Sequence, residues 1–337
     1  MKKRIRVVQF GLGAMGARMV EWILQKEDLE LVGVVVKSSD KRGRDVGEVL
    51  GWKKKVGVKC GAAEDVFEKI KAEVMLHAAV SYVPEVWKQI RPAVESGMNV
   101  ITIAEEMGFP FIKYPKLSKE MDRLAKKHGV SVLGSGINPG FAMDYLVVAL
   151  SGILPDVEKV KVTRLVNFAP FGSAIQKNIG IGLRAEEFKK GVVKGELPVH
   201  IGLAESIFML ACALGWKVDE IKETKVPVIA SKKIHIQGYK AVSRGRVAGF
   251  DQCATGYVKG KEKIILEELG RVDPHENYKN TIIIEGKPKL VETINVPTGN
   301  ITTTSHAVNL IPKVVDAKPG LLSMLDISVT PALLNKT

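Results

Sequence analysis

Two adjacent carboxylates, Glu105 and Glu106, are the side chains of this sequence best suited to proton transfer. They directly follow a short β-rich run over residues 99–104. If that run is a strand of a parallel sheet, its carboxyl end faces the ligand site, where a carboxylate can act as a general acid or base. Because neighbouring side chains on an extended segment point apart, we expect only one of the two to do so. The structural alternatives are a charge pair at a helix N-terminus and a solvated loop.

A glycine cluster predicts a turn that binds a pyrophosphate. Gly11, Gly13 and Gly16 form a GxGxxG pattern between an apolar strand-like run and a helical pattern. Gly11 permits a tight bend, Gly13 lets the backbone approach the pyrophosphate, and Gly16 allows the helix to pack closely on the strand. The N-terminus of the helix also offers free N–H groups. The alternative is a plain glycine-rich turn. The residues expected to contact a dinucleotide here are Gly11, Leu12, Gly13, Ala14, Met15 and Gly16, with Ala79 and Ala104 at the ends of two later strands.

The end of the second strand-like run favours NADP over NAD. Folds that bind NAD place an acidic residue there, which accepts hydrogen bonds from the ribose. Here the hydroxyl and basic residues Ser38, Ser39, Lys41 and Arg42 are expected to hold a 2′-phosphate instead. Asp40 would restore an acidic ribose partner if the strand extended three residues further, and use of both cofactors stays open. The alternative is a solvated basic loop.

Five residues are expected to contact a small substrate: Asn138, Phe141, Asn167, His200 and Thr303. Asn138 and Pro139 also suit the N-cap and first turn of a helix. Asn167, His200 and Thr303 are expected to hydrogen-bond amino or carboxylate groups, or else to be structural polar residues. Arg164, in an alternating strand-like run, is either a carboxylate ligand or a solvent-facing side chain.

The elements that must position these residues follow two different rhythms. Strand-like and helical patterns alternate through the first half, which predicts a Rossmann-type, doubly wound parallel sheet with helices on both faces. From about residue 157 most runs are strand-like and lack intervening helices, which predicts an α+β domain with an open, mostly antiparallel sheet. We therefore expect a dinucleotide-binding domain over 1–137, with 305–337 packing back on it, and a substrate-binding and dimerisation domain over 138–304.

Composition excludes several classes of protein. The 337 residues are 46% hydrophobic, and 50 Lys and Arg against 37 Asp and Glu give a net charge of +13. That charge is dispersed in short patches without a nucleic-acid-binding motif, so we expect no nucleic-acid partner. Three scattered cysteines and six scattered histidines predict neither disulfides nor a metal site. Without a membrane span or a signal-peptide cleavage region, we expect a cytoplasmic protein, and abundant Lys and Glu are typical of thermophiles.

The motifs together resemble the 2,4-diaminopentanoate dehydrogenase family. This family belongs to a wider group with a dihydrodipicolinate-reductase-like N-terminal domain, which includes native amine dehydrogenases. The stretches that carry the resemblance are the glycine turn, the glutamate pair, GINPGF at 136–141, NFAPFG at 167–172, HIGLAES at 200–206, LGW at 214–216 and the segment 304–320.

The resemblance implies a homodimeric enzyme that oxidises 2,4-diaminopentanoate at C4. The products are 2-amino-4-oxopentanoate, ammonia and NAD(P)H, and reductive amination is the reverse reaction. The family's glutamate base corresponds to Glu105 or Glu106. An acidic residue usual in the family is replaced where Phe168 or Ala169 stands, so the means of holding the substrate's α-amino group stays open. A broader or different amine substrate and a non-catalytic NADP-sensing protein are the alternatives.

Overall fold

The chain divides into two compact units. Unit 1 comprises Met1–Gly140 and Gly299–Thr337, and unit 2 comprises Phe141–Thr298. The computed structural model describes residues 3–236, 241–272 and 278–336, with the side chains of 173 and 174 excepted. No helix in these described segments is both long and apolar enough to cross a membrane.

Unit 1 is built on a parallel sheet whose described strands follow the order β13-β6-β5-β4-β1-β2-β3. The strands are β1 Ile5–Phe10, β2 Leu29–Val35, β3 Cys60–Gly61, β4 Val74–His77, β5 Asn99–Thr102, β6 Ser131–Gly134 and β13 Gly320–Leu322. Strands of such a sheet are covered on both faces, so their sequences are nearly continuous apolar runs. Val7 and Val8 of β1 are both fully buried, as this rule requires.

The helices of unit 1 are α1 Ala14–Gln25, α2 Val46–Val49, α3 Ala63–Lys69, α4 Val83–Glu95, α5 Pro115–His128, α10 Gly299–Asn309 and α11 Ile311–Val315. The end of α5 shows how the sequence sets a boundary. Basic residues fill its last turn, where they favour the negative end of the helix dipole, and Gly129 follows with φ +66°. The C-terminal part of the chain is fastened to α1 by Trp22, whose Nε1 donates to Thr304 Oγ1 on α10 at 3.0 Å.

Unit 2 is an α+β unit with a sheet in the order β12-β11-β7-β10-β9-β8. Among the described strand pairs only β7 and β10 run parallel, and the others are antiparallel. The predicted fold class is therefore confirmed. The strands are β7 Lys159–Asn167, β8 Glu220–Ile229, β9 Val247–Val258, β10 Lys261–Arg271, β11 Lys279–Glu285 and β12 Leu290–Ile294. The helices are α6 Tyr145–Ser151, α7 Ser173–Asn178, α8 Ala185–Val193 and α9 Leu203–Ala213.

One face of the unit 2 sheet is buried and the other is not. Residues alternate between buried and half-buried along β7 and β10, which is the pattern of a sheet covered on one side. Helices α6 and α9 contribute Val147 and Ile207 to the apolar cluster on the buried face.

The predicted helix start at Pro139, with Asn138 as its N-cap, is wrong. Residues 139–144 form turns, and α6 begins at Tyr145, whose backbone N–H donates to the Asp144 carboxylate at 2.7 Å. Gly140 has φ +123°, which a right-handed helix cannot accommodate. The asparagine and proline types suited a helix start, but a turn uses the same residues.

Candidate active site

The glycine turn between β1 and α1 has the shape that a pyrophosphate requires. A Cβ atom on Gly16 would overlap the carbonyl oxygen of Gly11, so helix and turn approach each other without side chains between them. A Cβ on Gly13 would meet no described atom within 4 Å, and Gly13 is the N-cap of α1 without a side-chain cap. The open space thus lies at a helix N-terminus, which fits a phosphate group.

The turn has a further support that sequence reasoning missed. Gln9 is a fully buried polar residue in the apolar strand β1, and its Nε2 donates to the carbonyl oxygens of Phe10 and Gly11 at 3.1 Å each. The available signal was a glutamine inside an otherwise apolar run. Because these bonds fix the carbonyl groups at the start of the turn, Gln9 holds the glycine loop in place.

The other residues predicted to contact the cofactor differ in accessibility. Ala14 and Ala79 are exposed and Met15 is half-buried, whereas the side chains of Leu12 and Ala104 are buried. Ala79 lies beside the turn, because its Cβ would be 3.5 Å from a Cβ on Gly11. Leu12 and Ala104 could therefore meet a ligand only through their backbone atoms.

The loop after β2 presents polar and basic groups rather than a strand-end acid. The strand ends at Val35, and Asp40 lies in a short 3₁₀ turn, Ser39–Lys41. The hydroxyl of Ser38 donates to the Asp40 carboxylate, and this hydrogen bond keeps the pKa of Asp40 below its ordinary value. Arg42 is exposed, and its Nη2 donates to the Lys37 carbonyl at 3.1 Å. Asp40 is thus set back from the strand end, and of the cations around it Lys37 and Arg42 are exposed and Lys41 is half-buried.

The two glutamates after β5 have different environments. They lie in a 3₁₀ turn, Glu105–Gly108, where successive side chains point about 120° apart. Glu106 is buried: its Oε2 accepts from the backbone N–H of Val83 at 3.0 Å, and its Oε1 pairs with the Lys113 ammonium. Glu105 is half-buried, and no hydrogen bond or ion pair to its carboxylate occurs in the described segments. Glu106 therefore fastens the first turn of α4, and the carboxylate of Glu105 is available for chemistry.

A chain of buried hydrogen bonds lies beneath this turn. His77 Nε2 donates to Gln89 Oε1 at 3.0 Å, and its Nδ1 then accepts from the Thr102 hydroxyl at 2.8 Å. The Thr102 oxygen in turn accepts from the backbone N–H of Ala104 at 3.1 Å. Burial lowers the pKa of His77 to about 4, so the imidazole is neutral at physiological pH. The chain fixes the backbone immediately before Glu105.

Two of the predicted substrate residues lie close together in unit 1. Thr303, on α10, accepts from the backbone N–H of Ile137 through its Oγ1 at 3.3 Å, so it adjoins the loop that carries Asn138. The same loop contacts the glutamate turn, because a Cβ on Gly108 would be 2.7 Å from Pro139 Cγ. Thr303, expected in the second domain, thus stands on a helix of unit 1. Asn138 and Thr303 therefore share one region with Glu105.

The remaining three predicted substrate residues belong to unit 2. The Phe141 ring lies 6.4 Å from that of Tyr145. The Oδ1 of Asn167 accepts from the backbone N–H of Ala169 at 2.9 Å, which explains Asn167 partly as a structural residue. The backbone of His200 exchanges two hydrogen bonds with the Gln252 side chain, at 3.0 and 2.8 Å.

Sequence reasoning missed a buried polar row across the sheet of unit 2. Strand register places Asn280, Arg164, Glu268 and Gln252 side by side on β11, β7, β10 and β9. All four are at most 4% exposed, so of the two alternatives for Arg164 the solvent-facing side chain is wrong. His200 Nδ1 lies 3.5 Å from Glu268 Oε2. Each of the four interrupts an otherwise apolar alternation, which was the signal in the sequence.

Comparisons with known proteins agree with the motifs. Residues 141–337 match the model of the 2,4-diaminopentanoate dehydrogenase C-terminal domain, and residues 5–102 match that of the dihydrodipicolinate reductase N-terminus. The chain is 38% identical to a 2,4-diaminopentanoate dehydrogenase of Acetoanaerobium sticklandii over 98% of this chain and 96% of the relative. It is 24% identical to an amine dehydrogenase of Streptomyces virginiae over 98% of each chain.

A solved structure shows the same likeness in three dimensions. An amine dehydrogenase from Mycobacterium smegmatis superposes with a TM-score of 0.87 at 29% identity, covering 98% of this chain and 97% of that one. The resemblance drawn from the motifs is thereby confirmed. On the evidence of both the sequence matches and the shared fold, this chain belongs to the 2,4-diaminopentanoate dehydrogenase family.

Proposed function

We propose that this chain catalyses the NAD(P)-dependent oxidative deamination of 2,4-diaminopentanoate at C4, giving 2-amino-4-oxopentanoate and ammonia, and reductive amination in reverse. Family membership supports the general part of this proposal, which is that the chain is a nicotinamide-dependent dehydrogenase acting on amines. The observation that carries the proposal is Glu105, a half-buried carboxylate beyond the carboxyl end of β5 with no partner in the described segments. A protein that only senses NADP has no need of such a group.

Glu105 is the general base and acid in this proposal. A bound nicotinamide supplies the hydride acceptor. Loss of hydride from C4 leaves an iminium ion, whose positive charge the Glu105 carboxylate stabilises. Glu105 then takes a proton from the water that attacks C4 and returns it to the nitrogen. The C4–N bond breaks as the C4 hydroxyl gives its proton to Glu105, which leaves the ketone and releases ammonia. Glu106 takes no part, because Lys113 and the Val83 N–H already engage its carboxylate.

Unit 1 would hold the cofactor through the glycine turn and the loop after β2. The proposed preference is for NADP, with NAD also accepted, and it is supported by the exposed Ser38, Ser39 and Arg42 and the half-buried Lys41 around the strand end. A 2′-phosphate carries negative charge and accepts hydrogen bonds, and these side chains provide both partners. Substrate contacts are assigned to Asn138 and Thr303 in unit 1 and to Phe141, Asn167 and His200 in unit 2.

A homodimer formed through the sheet of unit 2 completes the proposal. The face opposite α6 and α9 carries half-buried apolar residues, among them Leu165, Ile265 and Ile283. Exposed apolar residues also mark both edge strands, Val226 on β8 and Val291 on β12. Apolar residues that are exposed on a sheet face and its edges favour a partner. Elution of the protein as a monomer in gel filtration would contradict this part of the proposal.

Initial rates with defined substrates test the function. The protein is incubated with 2,4-diaminopentanoate and either NADP or NAD, and the reduced cofactor is followed by its near-ultraviolet absorbance, with simple amines in parallel. We expect turnover of 2,4-diaminopentanoate with release of stoichiometric ammonia, faster with NADP. Faster turnover of simple amines would assign a different amine substrate, and cofactor binding without any turnover would support a sensor.

A further inference from the structure

We propose that Arg164 and Glu268 form the subsite that binds the amino-acid head group of the substrate, with Arg164 on the α-carboxylate and Glu268 beside the α-ammonium. This inference rests on the proposed function and names the substrate class of that reaction, an amino acid that carries a second amine.

The first support is the position of the pair within unit 2. Arg164 on β7 and Glu268 on β10 are direct neighbours in parallel register, and Asn280 flanks Arg164 on the other side. The row lies between two apolar clusters on the same face of the sheet, one containing Val162 and the other Val166. The guanidinium of Arg164 is therefore buried at an inward-facing position of β7, between the buried valines Val162 and Val166.

The second support is an unmet hydrogen-bond donor. Arg164 is 4% exposed, and its Nη1 has no hydrogen-bond partner within the described segments. Leaving a donor of a buried charged group unsatisfied is energetically unfavourable. A carboxylate accepts two parallel hydrogen bonds from a guanidinium, so an α-carboxylate would satisfy this donor with the geometry that arginine favours.

The charges around Arg164 fit a ligand with a net positive charge. Burial lowers the pKa of Arg164, while the neighbouring carboxylates of Glu268 and Asp144 act in the opposite direction. With one cation and two acids, the cluster has a net charge of about −1 when all three are ionised. A diamino acid with one carboxylate carries about +1 at neutral pH, so the two are complementary. A simple carboxylate would add to the negative charge and fit less well.

The third support is a partly exposed histidine beside the buried row. His200 lies 3.5 Å from Glu268, and its side chain is 17% exposed, whereas Glu268 is 2% exposed. The His200 backbone is locked by both polar atoms of the Gln252 side-chain amide.

A pair of ligands tests the subsite independently of catalysis. Wild type and Arg164→Met are compared, with Arg246→Met as the matched control, because Arg246 belongs to the same unit and is 38% exposed. 2-Aminopentanoate has the head group but no 4-amine, and its binding is measured by calorimetry. We expect 2-aminopentanoate to bind wild type and the control. Its affinity for Arg164→Met should be at least about 30-fold weaker, because the variant loses a pair of charge-assisted hydrogen bonds. Equal affinity for Arg164→Met, or no binding to wild type, would overturn the subsite.

Kinetics provide the second readout. For 2,4-diaminopentanoate, Arg164→Met should raise KM at least about 30-fold, whereas kcat/KM for 2-aminobutane, which lacks the head group, should stay within about threefold. Equal losses for both amines would indicate a merely structural arginine. If wild type binds 2-aminopentanoate yet does not oxidise 2,4-diaminopentanoate, the proposed function fails and the subsite stands.

A folding defect would not obscure the result. Removing Arg164 alone leaves Glu268 as a buried charge, so the double variant Arg164→Met/Glu268→Met serves as a second test. Replacing both members of a buried ion pair by apolar residues is often neutral for stability. The folded double variant should also fail to bind 2-aminopentanoate, and retained binding would contradict the proposal.

Discussion

Separate substitution of the two neighbouring glutamates distinguishes catalysis from stability. Glu106→Gln weakens a charge-assisted hydrogen bond from Val83 N–H at 3.0 Å and removes the ion pair with Lys113, whose side chain is 46% exposed. Because Lys113 is half-exposed, the ion pair contributes at most about 1 kcal/mol. When the weakening of the hydrogen bond at the start of α4 is added, we expect the free energy of unfolding to fall by about 2 kcal/mol in total. For a folding unit of about 180 residues this lowers Tm by about 4–8 °C.

Glu105→Gln should have the opposite profile. Its carboxylate is half-buried and has no partner in the described segments, so we expect a stability change within about 0.5 kcal/mol. Loss of a general base should lower kcat at least about 100-fold while cofactor binding is retained.

The assays are calorimetric unfolding, steady-state oxidation of 2,4-diaminopentanoate and fluorescence titration with NADPH, applied to both variants at one pH. Glu106→Gln, once folded, should keep kcat within about threefold of wild type, because its carboxylate does not reach the substrate. A stable, inactive Glu106→Gln beside an active Glu105→Gln would refute the assignment.

Three further perturbations test the cofactor site and a buried histidine. Arg42→Ala should weaken NADP about tenfold and NAD less than twofold in binding titrations, since only NADP carries the 2′-phosphate, and equal losses would refute that contact. Gly13→Ala should leave Tm unchanged but weaken both cofactors, because its Cβ points into open space, whereas Gly16→Ala should lower Tm as well, because its Cβ overlaps Gly11 O. His77 has a pKa of about 4 in the folded chain against an ordinary 6.5, so the unfolded chain binds more protons below pH 6.5 and stability falls as pH drops. In urea unfolding, the free energy of unfolding should therefore fall by about 2 kcal/mol more for wild type than for His77→Gln between about pH 7 and pH 5. Equal decreases in the two proteins would exclude a neutral buried imidazole.

The sequence by itself determined the elements that depend on local patterns. The glycine turn, the alternating strands and helices of unit 1 and the mostly antiparallel sheet of unit 2 follow from residue types within windows of a few residues, and all three occur in the structure. Local patterns were less reliable at boundaries. Asn138 and Pro139 suited a helix start, yet α6 begins at Tyr145, because turns and helix caps use the same residue types.

Only the tertiary structure separated Glu105 from Glu106 and assembled the row around Arg164. Lys113 and Val83, the partners of Glu106, stand 7 and 23 residues away, so nothing adjacent in the chain distinguishes the two acids. Arg164 and Glu268 are neighbours because β7 and β10, which are separated in the chain by β8 and β9, pair in parallel register. Such pairings depend on how the whole sheet packs against its helices, and a local pattern carries no information about register.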